Sequence, residues 1–98
     1  MVDLVITVTI NDTDQKCMKN DLADINDWVQ KAVEGKCSNC WKRFQREWTQ
    51  KLMDDETFTD PIPSVKADFI DLVLARPDYK DRATKEAEEQ ARLDAMAG

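Results

Sequence analysis

From Ile25 onward the apolar residues fall at Ile25, Trp28, Val29, Ala32, Val33, Cys37, Cys40, Trp41, Phe44, Trp48 and Leu52. No other feature constrains the fold as strongly. The pattern keeps one face of an α-helix apolar from residue 25 to residue 52, so it predicts a single long amphipathic helix. Within it the ladders Val29–Val33–Cys37–Trp41 and Cys40–Phe44–Trp48–Leu52 step by four. A step of four advances about 400° on an ideal helix, so the stripe drifts by about 40° per step. Either the partner surface wraps the helix in a right-handed sense, or the helix bends midway. Gly35, followed by Ser38-Asn39, marks the place for a bend. Glycine weakens a helix interior by roughly 1 kcal/mol relative to alanine.

The residues before this helix alternate differently. Over residues 2–10, Leu4, Ile6, Val8 and Ile10 occupy one parity and Val5, Thr7 and Thr9 the other. Strict period-two alternation in β-branched residues predicts a strand with one apolar face. A lone strand cannot satisfy its own N–H and C=O groups. Within the chain its only candidate mate is Thr57-Phe58-Thr59, too short to cover it and closed off by Pro61. The mismatch predicts that Leu4, Val5, Ile6, Thr7, Val8 and Thr9 are the self-association site. They would pair antiparallel with the same strand of a second copy about a two-fold axis.

Cap residues divide the rest. Asn11, with Asp14 three residues on, opens a short helix over about 12–20. Asp24 is placed to cap the long helix, with Asp27 in its first turn. Pro61 and Pro63 keep the 54–64 connection extended. Ser64 is the expected cap of a third helix, with Val65, Phe69, Leu72 and Val73 inward and Arg76-Pro77 as its stop. A last helix over 78–96 is rich in Ala, Glu and Lys, but its stripe of Tyr79, Ala83, Ala87 and Ala91 buries little. The fold class expected is mostly α: an N-terminal β-strand, a short helix, one long amphipathic helix and two C-terminal helices. One domain over 1–98 is expected, with the strand at 1–10, the helical core at 11–76 and a peripheral helix at 77–98.

Composition excludes several functions. The net charge of −6 repels polyanions from the average surface and disfavours nucleic acid or an anionic membrane as main partner. The chain has no histidine, which removes the commonest general base and metal ligand together. The three cysteines, Cys17, Cys37 and Cys40, leave at least one thiol unpaired, which fits a reducing compartment. Met1-Val2-Asp3-Leu4 shows no basic leader, and no window reaches membrane-spanning length, so the expected location is cytoplasmic. With charged residues at 35%, the chain suits exposed helix or a core completed by self-association.

Three constellations carry possible chemistry. Cys37-Ser-Asn-Cys40 is a C-x-x-C pair, readable as a redox dithiol or half a metal site. A redox pair wants its first thiol at a helix N-terminus, and a metal needs four ligands. Both thiols continue the apolar stripe, so they read as small core hydrophobes. Lys36, Lys42, Arg43, Arg46 and Lys51 make residues 36–51 basic around Trp41, Phe44 and Trp48, a pattern that can bind single-stranded nucleic acid. The aromatics share the inner stripe while Arg43 and Arg46 lie away from it, so an acidic protein segment, such as residues 54–60 or a neighbouring chain, is the better partner. The three tryptophans read as core, with Trp41 at the junction of the two ladders. Asp12, Asp14, Asp21, Asp24 and Asp27 lack the glycine and the bidentate glutamate of a calcium loop and read as caps. No P-loop, G-x-S-x-G or H-E-x-x-H motif occurs.

The Thr- and Val-rich start, the capped turn Asn11-Asp12-Thr13-Asp14-Gln15-Lys16 and the stretch from Leu22 to Val33 resemble a type of small protein encoded by tailed bacteriophages. Gly35-Lys36-Cys37-Ser38-Asn39-Cys40 and Ala75-Arg76-Pro77-Asp78-Tyr79 are similar to that type as well. The resemblance implies a viral setting, in the host cytoplasm or the virion, and supplies no activity and no site residues. The function expected is a non-enzymatic, self-associating interaction module without cofactor, metal or small-molecule ligand, whose partners are other copies or other proteins. The alternatives are a thiol redox protein using Cys37 and Cys40, and a nucleic-acid-binding regulator using residues 36–51.

Overall fold

A computed structural model describes residues 2–97. Among the described residues it contains four helices and no strand: α1 (Asp12–Asp21), α2 (Ile25–Asp54), α3 (Lys66–Leu74) and α4 (Arg82–Ala97). The chain divides into two compact units, at residues 45 and 46. Where the sequence pattern led to one domain over 1–98, the two units are described separately.

In the first unit, α1 begins where Asn11 predicts. The Asn11 side chain accepts a hydrogen bond from the Asp14 N–H at 2.8 Å and donates one to the Asp14 carboxylate at 2.8 Å, so cap and third residue satisfy each other. Asp24 caps α2 in the same way, its carboxylate accepting from the Asp27 N–H at 3.0 Å. The helix then runs through Gly35 without interruption, and no described residue has a positive φ. Gly35, the place marked for a bend, does not break the helix. One glycine costs a helix little when both flanks keep their hydrogen bonds.

The predicted N-terminal strand does not form either. Residues 2–10 take no regular secondary structure, and residues 2–9 are exposed. The reason lies in the ladder. The proposed mate is committed elsewhere: the Thr57 N–H bonds the Asp55 carboxylate at 2.9 Å and the Phe58 N–H bonds the Asp55 carbonyl at 3.0 Å. With those donors used in a turn, the one segment expected to pair with residues 2–10 does not offer them its N–H groups.

The second unit holds all four buried side chains among the described residues, Trp48 and Leu52 from α2 and Phe69 and Val73 from α3. Tyr79 lies against Trp48, ring centroids 6.0 Å apart and tilted. It therefore belongs to this core rather than to the last helix, which starts three residues later. α3 starts one residue beyond the expected Ser64 cap. Its N-cap is Val65, which makes no side-chain capping bond. α4 starts at an Asp81 cap that accepts from the Thr84 N–H at 2.8 Å, and α4 buries no residue.

Candidate interaction surface

Residues 4–9 are the self-association site expected from the sequence, and the fold leaves them open. Leu4, Val5, Ile6 and Val8 are between 63% and 86% exposed, with Thr7 and Thr9 exposed between them. The end of the segment is anchored. The Gln15 side-chain amide donates to the Ile10 carbonyl at 2.9 Å, and Asn11 is locked into the α1 cap. The period-two pattern survives without the strand: Ile6, Val8 and Ile10 border one concavity of about 280 Å³ with Ile25 and Val29 of α2. The apolar parity thus turns toward the start of α2 but is not closed over by it.

The apolar stripe of α2 is equally open through its middle. Every residue from 30 to 40 is exposed, Val33 at 53% among them. Cys37 and Cys40 are free and exposed, as is Cys17. The reading of Cys37 and Cys40 as buried core hydrophobes is thereby overturned, because no element of the first unit covers this part of the helix. Both thiols lie well inside α2, away from the helix N-terminus at Ile25, so the dipole that activates a redox dithiol is not aimed at them.

The tryptophans separate. Trp48 is buried, Trp28 is half-exposed, and Trp41 is only half-buried, stacked on Phe44 at 6.3 Å between centroids. Lys36, Lys42, Arg43 and Arg46 are exposed and make no ion pair among the described residues, whereas Lys51 pairs with Glu47 at 3.1 Å and sits 4.5 Å over the Trp48 ring. Arg46, the one of these four that belongs to the second unit, makes no ion pair with the acidic 54–60 segment of that unit among the described residues.

The key carboxylate of the 54–60 segment is taken by Arg76, a residue that sequence reasoning treated only as a helix stop. The Arg76 guanidinium donates to Asp55 at 2.8 Å and to Asp78 at 2.9 Å, with Arg76 and Asp55 side chains about one-fifth exposed. The Thr57 hydroxyl donates to the other Asp55 oxygen at 2.6 Å. Thr57 first and Arg76 second hold the Asp55 carboxyl down to about 2. Arg76 likewise holds the Asp78 carboxyl below the usual range, and its two partners raise its own pKa. A pairing across 21 positions leaves no local signature. This clasp ties the turn after α2 to the end of α3 and presents no open coordination.

Among the described residues no group of three or more Cys, Asp or Glu side chains is placed to hold a metal ion, and no helix is long and apolar enough to cross a membrane. Comparison with protein-family models, with curated proteins and with solved structures finds no match.

Proposed function

We propose that this protein is a non-enzymatic module that works by self-association, using Leu4, Val5, Ile6, Thr7, Val8 and Thr9 against a second copy. One observation carries the reading. The first unit contains two capped helices and an apolar segment, yet none of its described residues is buried. A folded unit is stabilised chiefly by the apolar surface it removes from water. Fully covering a Val, Leu or Ile side chain contributes roughly 1.5–3 kcal/mol, and the first unit holds several such side chains ready to be covered. Association itself costs on the order of 4–15 kcal/mol, so residues 4–9 would share the interface with a second apolar face. A structural or accessory role in a bacteriophage rests on the sequence resemblance alone, and the acidic balance of the chain keeps nucleic acid a poor partner.

Sedimentation equilibrium tests the reading directly. A concentration-dependent mass above 11.3 kDa is expected. A well-folded monomer at all concentrations would remove it.

One observation favours a second reading, thiol chemistry: Cys37 and Cys40 are exposed. Ellman titration near neutral pH separates the two. Rates no faster than those of an unactivated thiol leave only the interaction module, whereas a strongly accelerated thiol supports a redox role.

A further inference from the structure

We propose that residues 33–44 of α2 form a parallel, in-register seam with the same residues of a second copy, bringing Cys37 and Cys40 each opposite its own counterpart. The proposal rests on the self-association reading above and names the second face that such an interface uses. Val33, Cys37, Cys40 and Phe44 are spaced 4, 3 and 4, the spacing that keeps a narrow stripe of one helix facing another. At about 100° per residue they share an arc of about 60°. Val33, Cys37 and Cys40 are exposed and Phe44 is half-buried. The stripe has defined ends. The next position before it is Gln30, whose amide bonds Glu34, and the next after it is Glu47, which pairs with Lys51.

Charge selects both the occupant and its direction. One edge of the stripe carries Lys36 and Arg43, and the other carries Asp27 and Glu34. Parallel helices set one edge of each against the opposite edge of its partner, so basic meets acidic. Antiparallel helices set like edges together and would gather Lys36 and Arg43 of both copies on one side. Lys36 and Arg43 make no ion pair within the chain among the described residues, and Glu34 faces no cation there. A second copy supplies what each edge lacks. Gly35 and Lys42 fall on the opposite side of the helix and leave the seam unobstructed.

Single-cysteine chains test the register. Three variants, each retaining only Cys17, Cys37 or Cys40 with serine at the other two positions, are treated with diamide, which accepts the two electrons and two protons of a thiol pair as the disulfide forms. The Cys37 and Cys40 chains are each expected to shift to twice 11.3 kDa on non-reducing gels and to revert with dithiothreitol, well beyond the Cys17 chain. Glu34→Lys makes both edges basic and is expected to abolish the shift. Adding Lys36→Glu and Arg43→Glu to Glu34→Lys restores opposite edges and is expected to recover it. If neither chain exceeds the Cys17 chain, or only a mixture of the Cys37 and Cys40 chains cross-links, while sedimentation still shows an oligomer, the seam is wrong and self-association stands. An unchanged shift in Glu34→Lys overturns the charge-set register. A monomer in sedimentation overturns both.

Discussion

Burial divides the aromatic residues in a way that spacing alone does not reveal. Trp41 stands where the two ladders of α2 meet, and that position predicts a core residue whose loss costs roughly 3–5 kcal/mol. In the fold the buried positions of α2 lie further on, at Trp48 and Leu52, 5% and 1% exposed, because Phe69, Val73 and Tyr79 belong to the same unit as they do. Trp48→Ala is therefore expected to cost about 3–5 kcal/mol in denaturant unfolding, and Trp41→Ala distinctly less within a single chain. Equal losses would place Trp41 in a covered interface. Asp55 gives a prediction in pH. Its folded pKa of about 2 lies below its ordinary value of 3.8, so it stabilises the fold above the ordinary value and that contribution is lost as pH falls toward 2. Asp55→Asn is expected to lower stability at neutral pH and to flatten the acid limb between about pH 4 and 2 in unfolding curves. An acid limb identical to that of the parent chain would show that the clasp adds nothing to folding.

Helices were the legible part of this chain because their signals are local. Asn11 and Asp24 cap the helices they were expected to cap, and the apolar period between Ile25 and Leu52 gave α2 nearly to its ends. Gly35 shows where local reasoning stops. Its propensity cost is real, but a helix held on both sides continues through it, and a Cβ built there meets nothing within 4 Å. Gly35→Ala should then stabilise α2 by about 0.5–1 kcal/mol, because alanine fits this conformation and loses less freedom on folding. Thermal melting would register the gain, and a lower midpoint would mean that a bend or a close contact at Gly35 matters in the assembled state. The Asp55–Arg76 clasp and the exposure of Cys37 and Cys40 were illegible for the same reason. Both depend on which distant segment arrives, and periodicity records only that a face is apolar, not what covers it.

At the scale of the whole chain the unresolved tension is between residues 2–10 and everything after them. The alternation of Leu4, Ile6, Val8 and Ile10 against Val5, Thr7 and Thr9 is that of a strand, yet the segment takes no strand in a single chain. Alternation alone does not make a strand, because a ladder requires a mate, and the donors of residues 57 and 58 are used in the turn at Asp55. A second copy provides a mate of matching length, and pairing would bury the row of backbone groups that an isolated segment leaves to water. On the proposed self-association, any ordering of residues 4–9 would come with assembly. Thr7→Pro removes one ladder donor and fixes φ at the middle of the segment without altering the capped helices that follow. It is expected to lower the oligomeric mass in light scattering coupled to size exclusion and to erase any β signal that appears on concentrating the parent chain. Helix content of the α1–α4 segments should persist. If Thr7→Pro, or deletion of residues 1–9, leaves a well-folded protein of unchanged oligomeric mass, the segment takes no part in association and the apolar face of α2 must account for it alone.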